Sequence, residues 1–119
     1  MIVDRDGVIN AESCEHIKSV AEWQPLPGSL EAIARLNRAG WRTALATNQS
    51  GIARGLFDEP ALEAIHEHIN AELARLGGVL DPIVYSPDGP GVDAPRRKPR
   101  PGMLLEIAER LGVDLAGVP

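Results

Sequence analysis

Cysteine is nearly absent: the 119-residue chain has one, Cys14. A single thiol excludes an internal disulfide and a cysteine-only zinc site. Cys14 has no partner at catalytic spacing and reads as an ordinary thiol. Aromatic residues are also scarce (Trp23, Trp41, Phe57 and Tyr85), so stacking on bases or sugars is not a theme. No stretch is long and apolar enough to cross a bilayer, and no charged-then-apolar leader marks a signal peptide. These absences point to the cytoplasm and to no membrane partner. Positive charge is not in excess either. The formal net charge of −5 gives no reason to expect nucleic acid as a partner. It leaves open a small anionic substrate, because a few converging cations suffice locally. Alanine and leucine are plentiful, which suits helices packed on a sheet, and the length fits one domain with a single core.

Read along the chain, Ile2-Val3 is the end of a first strand, although only three residues precede Asp4 where about five or six are usual. Residues 11 to 27 have no clear period and carry Pro25 and Pro27, which predicts a loop. Ser29 is placed to cap a helix whose apolar positions are Leu30, Ile33, Ala34 and Leu36, and Gly40 ends it. Arg42 to Ala46 is a second strand, followed by the polar turn Thr47-Asn48-Gln49-Ser50-Gly51. Asp58 caps the longest helix, with Pro60 in its first turn. Leu62, Ile65, Ile69 and Leu73 line one face of that helix, and Gly77-Gly78 stops it. Pro82 to Tyr85 is a third strand. A loop rich in Pro, Gly and Arg covers residues 86 to 101, and a third helix runs from Met103 to Leu111, ended by Gly112. The alternation β-α-β-α-β-α predicts an α/β fold with a parallel sheet and crossover helices.

Three motifs follow the three strands. Asp4-Arg5-Asp6-Gly7 places two carboxylates where open α/β sheets bind ligands. One acid can attack phosphorus while the other handles the proton. Thr47 to Gly51 offers a hydroxyl and backbone N–H groups to phosphate oxygens. Arg97-Lys98-Pro99 offers a planar fork and a point charge. Each has a plainer reading: strand-end turn residues, a capped turn, and a solvated charge run of Arg96, Arg97, Lys98 and Arg100. The coincidence favours function, because motifs that follow successive parallel strands fall on one sheet edge. His66 and His68, two apart on a helix, point in different directions and cannot share a metal.

The runs Asp4-Arg5-Asp6-Gly7-Val8-Ile9-Asn10, Thr47 to Gly55 and Arg97 to Met103 resemble the haloacid dehalogenase (HAD) superfamily. More narrowly, they resemble its group of heptose bisphosphate and histidinol-phosphate phosphatases. The resemblance implies a HAD-like Rossmannoid three-layer α/β/α fold with strand order 3-2-1-4-5. It implies a small phosphorylated sugar as substrate, namely the 7-phosphate of a heptose bisphosphate, with histidinol phosphate as the alternative. It further implies Asp4 as nucleophile, Asp6 as acid and base, and Thr47 and Lys98 as holders of the phosphoryl group. Substrate contacts are implied for Arg5, Glu12, Ser13, Cys14, Glu15, Asn48, Gln49, Ser50 and Arg97. Magnesium is the implied cofactor, held by Asp4, the backbone carbonyl of Asp6 and a further acidic residue.

Two departures from the group's pattern set further expectations. The family's fourth motif, a strand followed by Gly-Asp and further acids, is expected just after Val118. Residues 1 to 119 then read as the N-terminal part of a HAD-like domain, with strands 1 to 3 present and strands 4 and 5 missing. On that reading the intact protein is a monomeric enzyme. The 119 residues alone are inactive, and they self-associate through the apolar edge of Ile2-Val3. The competing expectation is a non-catalytic remnant that binds phosphate or a metal. The second departure lies at Ser86, Asp88, Ala94 and Arg96, where many members of the group carry the Cys and His ligands of a zinc loop. These four side chains cannot build a tetrahedral thiolate and imidazole site. Elemental analysis of the purified protein is expected to find no stoichiometric zinc; one tightly held zinc per chain would refute this.

Overall fold

The computed structural model describes residues 1–6, 8–10, 18–49, 51–52, 55–88, 98 and 101–119. Three strands form one parallel sheet in the order β1-β2-β3: Ile2–Val3, Ala44–Asn48 and Ile83–Ser86. Ile2 pairs with Ala44 and Val3 with Leu45, while Leu45 to Asn48 pair with Ile83 to Ser86. The helices that cross between strands are α1 (Ser29–Arg38) and α2 (Glu59–Arg75), and α3 (Gly102–Leu111) follows β3.

The period-2 alternation of β2 divides the core into two layers. Leu45 joins Leu30 and Ile33 of α1 and Ile65, Ile69 and Leu73 of α2 on one face. Ala44 and Ala46 join Val84 and the α3 residues Met103 and Ile107 on the other. The result is the expected three-layer arrangement. Four of the five β2 residues are buried, as befits a strand covered on both faces. The face predicted for the longest helix is the buried one: Leu62, Ile65, Ile69 and Leu73 are all fully buried.

Several boundaries differ from the sequence reading. The second strand runs two residues later, so Thr47 and Asn48 end the strand rather than open the turn. Thr43 instead leads in, its hydroxyl donating to the Val79 carbonyl and accepting from Asn37 Nδ2. The third strand shifts by one residue to Ile83–Ser86, and α3 starts at Gly102. Ser29 is not the cap of α1. Gly28, with φ of +81°, holds that position, and the Ser29 hydroxyl reaches the carbonyls of Ile9 at 2.7 Å and Leu26 at 2.9 Å. The cap therefore became a tie between the helix start and the loop before it. The predicted loop contains a short 3-10 turn, Val20–Glu22. It also delivers Trp23 to the core, where its ring meets His68 edge-on at 5.3 Å. A lone aromatic in an aperiodic stretch carries no pattern that would mark it as buried.

The outer edge of β1 is not bare. The C-terminal tail folds back along it, and the Ile2 N–H donates to the Pro119 carbonyl at 2.9 Å. Among the described residues, no helix is long and apolar enough to cross a membrane.

The α2 helix is held by its apolar face more than by its cap. Asp58 caps it as expected, accepting from the Ala61 N–H at 2.9 Å. Ile69→Ala is expected to cost about 2–5 kcal/mol and Asp58→Ala about 1 kcal/mol. Urea unfolding of the two variants measures both, and a cap loss as large as the core loss would overturn this ranking.

Candidate active site

Parallel pairing brings the ends of β1 and β2 and the segment after β3 to one edge. Asp4 directly follows β1. Its Oδ1 accepts from the Arg5 N–H at 2.7 Å and lies 3.3 Å from Lys98 Nζ. The side chains of Asp4 and Lys98 are 44% and 35% exposed. An ion pair this open contributes about 0–1 kcal/mol to stability, so folding does not require it. It borders a cleft of about 400 Å³ whose other walls include Ile2, Ala46, Leu104, Leu115 and Val118.

Lys98 is set in place by Asn48. The Lys98 N–H donates to Asn48 Oδ1 at 3.0 Å, and Asn48 Nδ2 reaches back to the Lys98 carbonyl at 3.4 Å. The amide at the end of β2 thus clamps the backbone of the third motif. Asn48, expected at the substrate, also positions a lysine.

Asp6 lies deeper. Its Oδ1 accepts from Arg5 Nε and from Asn10 Nδ2, both at 3.0 Å, and its Oδ2 accepts from Gln49 Nε2 at 3.2 Å. Three donors therefore fix the carboxylate, while its side chain stays 31% exposed. Gln49 Nε2 also donates to Thr47 Oγ1 at 3.0 Å, and Gln49 Oε1 accepts from Arg5 Nη2 at 3.1 Å. Arg5, Thr47 and Gln49 are all buried. Arg5 was expected among the substrate contacts, but its side chain is 0% exposed and turned into the protein. A guanidinium without access to water keeps its charge by gripping fixed acceptors; here Nε grips Asp6 and Nη2 grips Gln49, while Nη1 is buried with no partner among the described residues. Gln49, also expected at the substrate, is buried in the same network.

Glu12, Ser13, Cys14, Glu15, Ser50 and Arg97 lie outside the described residues, as do Ala94 and Arg96 of the zinc-loop positions. The other two positions, Ser86 and Asp88, bond to each other, Oγ to Oδ2 at 2.9 Å. Sequence reasoning missed Asn10, which is fully buried and donates to Asp6. Its place at the end of Asp-x-Asp-Gly-x-x-Asn was the available signal, because an asparagine four residues after an acid can close a turn back onto it.

His66 lies on α2, with its ring 6.2 Å from that of Tyr85. His68 faces Trp23, so the two histidines do point apart. His66 is 6% exposed, and its Nε2 is buried without a partner among the described residues. Burial pushes the imidazole down from 6.5 to about 4; the positive charge of Arg5 adds to this and the negative charge of Asp6 opposes it. His66 is therefore neutral near pH 7.

Among the described residues, no group of three His, Cys, Asp or Glu side chains converges. The open carboxylate of Asp4 and the main-chain carbonyl of Asp6 are hard oxygen donors. They fit magnesium, which binds through one or two carboxylates and retains several waters.

The family description haloacid dehalogenase-like hydrolase matches residues 3–118. The chain is 54% identical over 118 residues to the D-glycero-beta-D-manno-heptose-1,7-bisphosphate 7-phosphatase of Pseudomonas aeruginosa, covering 99% of this chain and 66% of that protein. It is 56% identical over 119 residues to the protein of the same name from Bordetella bronchiseptica, covering 100% of this chain and 66% of that one. The crystal structure of the B. bronchiseptica D,D-heptose 1,7-bisphosphate phosphatase, complexed with magnesium and phosphate, matches with a TM-score of 0.95 over 100% of this chain and 66% of that chain. The chain thus spans just under two thirds of the length of these relatives.

The neutral His66 makes stability pH-dependent. An unfolded chain takes up this proton near 6.5 and the folded one near 4, so unfolding is favoured as pH falls through that window. Stability from this group is complete above 6.5 and declines towards about 4, by roughly 3 kcal/mol at most. His66→Leu is expected to flatten the decline between pH 6.5 and 4.5 in urea midpoints. An unchanged slope in the variant would refute the assignment.

Proposed function

This chain belongs to the haloacid dehalogenase-like hydrolases, and on that footing we propose that it carries the nucleophile, the acid-base group and the phosphoryl-holding groups of a phosphatase. The proposed substrate is the 7-phosphate of D-glycero-D-manno-heptose 1,7-bisphosphate. One observation carries the reading: the sheet edge gathers an open carboxylate 3.3 Å from a lysine ammonium and, beside them, a carboxylate fixed by three donors. The first arrangement suits attack on a phosphoryl group and the second suits directed proton transfer.

In the proposed sequence Asp4 attacks phosphorus while the bond to the sugar oxygen breaks. Asp6 gives its proton to that departing oxygen, leaving a phosphoryl group on Asp4. Asp6 then takes a proton from water, which attacks the phosphorus and releases inorganic phosphate and free Asp4. Lys98 offsets negative charge on the phosphoryl oxygens. The Thr47 hydroxyl, which accepts from Gln49, keeps its own proton for a phosphoryl oxygen. Asp4 and the Asp6 carbonyl would hold magnesium, which when bound screens the repulsion between carboxylate and phosphate. Substrate contacts are proposed for Glu12 to Glu15, Ser50 and Arg97. The heptose assignment draws on the 54% and 56% identities to the heptose bisphosphate phosphatases, and histidinol phosphate is the alternative substrate.

A second reading, phosphate binding without turnover, is favoured by the lack of a third acidic side chain near Asp4 and Asp6 among the described residues. Phosphate release over a panel of sugar phosphates and histidinol phosphate separates the two readings. The assay uses both the 119 residues and a chain extended to the relatives' length. In whichever form turns over, Asp4→Asn and Asp6→Asn are each expected to lower release by several orders of magnitude. Near-normal release by Asp4→Asn would sink the nucleophile assignment.

A further inference from the structure

We propose that Arg5 is a positioning residue that, through the amide of Gln49, sets the Asp6 carboxylate and the Thr47 hydroxyl in register with each other. This rests on the phosphatase reading for its consequence in turnover, though not for its geometry.

An amide side chain can sit either way round, with oxygen and nitrogen exchanged. Arg5 decides the matter for Gln49. A guanidinium has only donors, so the atom 3.1 Å from Nη2 is the oxygen, Oε1. The nitrogen is then obliged to face the other way, where it donates to Asp6 Oδ2 at 3.2 Å and to Thr47 Oγ1 at 3.0 Å. Reversed, the amide would turn its oxygen towards a carboxylate and towards the hydroxyl oxygen of Thr47. The second arm of Arg5, Nε, grips Asp6 Oδ1 directly at 3.0 Å. One buried cation thus holds the acid from the β1 end and orients the amide from the β2 end.

Thr47 gains a direction from this. Its oxygen is occupied as an acceptor, and its internal acceptor, the Asn48 carbonyl, is 3.4 Å away, a long contact for a hydroxyl. The hydroxyl proton therefore remains available to an anion at the sheet edge. A lysine at position 5 would keep the charge but lacks the planar fork that reaches two acceptors at once. Filling volume alone would be done at lower cost by an apolar side chain, because a buried charge is stable only when paired.

Two readouts test this. In isotope-labelled protein, the Gln49 side-chain amide resonances are expected to shift and lose exchange protection in Arg5→Met. The Asn37 amide, bonded to Trp41 and Thr43, serves as the control and is expected to stay unchanged. Gln49 resonances that ignore the loss of Arg5 would overturn the proposal. In turnover, Arg5→Met and Gln49→Leu are each expected to lower kcat about 10- to 100-fold with KM nearly unchanged. The double variant is expected to be no worse than the poorer single variant, as for residues acting as one unit. A raised KM with kcat intact would make Arg5 a substrate contact, and multiplied losses would make the two residues independent; either refutes the positioning role. Should Arg5→Met fail to unfold cooperatively, Gln49→Leu carries the kinetic test and Arg5 Nε–H protection in that variant replaces the amide readout. Absence of turnover in both the 119 residues and the extended chain, with a Gln49 amide that still depends on Arg5, would count against the phosphatase reading and for the link.

Discussion

Everything at the site depends on the parallel pairing of β2 with both of its neighbours. Parallel strands point the same way, so their C-terminal ends meet on one edge. Here that edge receives Asp4 from β1, Thr47 and Asn48 from β2, and Ser86 from β3. The pairing is held by side chains remote from any chemistry. Leu45 binds the α1 and α2 layer, and Ala44 and Ala46 let α3 come close on the other face. Small residues on one face of β2 and a large one on the other fix which way the strand is turned. A slip of one residue would exchange the two faces and move Thr47 off its present side of the sheet.

The elements were legible in the sequence because each signal was local and periodic. The α2 face could be read from spacing alone, and Asp58 and Pro60 marked its start. The three strands could be found, but their ends could not. The limits of β2 are set by partners on β1 and β3, and a propensity reading cannot see those pairings. Ser29 shows the same limit in a smaller way. Its hydroxyl could cap a helix or bond to nearby carbonyls, and only the approach of Ile9 and Leu26 decides between them. Trp23 and the tail at Pro119 were illegible for a related reason, since both are placed by tertiary contacts alone.

The motif residues were legible as a set, but the roles of some were not. Sequence spacing shows which residues reach an edge and says nothing of depth. Arg5, Asn48 and Gln49 all have side chains suited to phosphate, and so all three read as contacts. In the fold Asn48 clamps Lys98, and Arg5 and Gln49 are buried under Asp6. Burial sets Arg5 and Gln49 apart from the open Asp4 and Lys98, although Thr47 is buried with them, and burial is a property of the whole packed domain.

The site therefore divides into a fixed half and an open half. Asp6, Thr47, Gln49 and Arg5 are tied by hydrogen bonds on several sides, and their geometry is set before any ligand arrives. Asp4 and Lys98 are a third or more exposed and face the cleft beside α3. Attack requires a nucleophile that water and substrate can reach, whereas proton transfer requires an acid aimed at one point. The three donors from Arg5, Asn10 and Gln49 fix where the Asp6 carboxyl points, which serves the second need. His66 feels the charges of Arg5 and Asp6, and burial keeps it neutral near pH 7. A neutral imidazole adds no repulsion to Arg5, whose Nε and Nη2 bond Asp6 and Gln49 while Nη1 has no partner among the described residues.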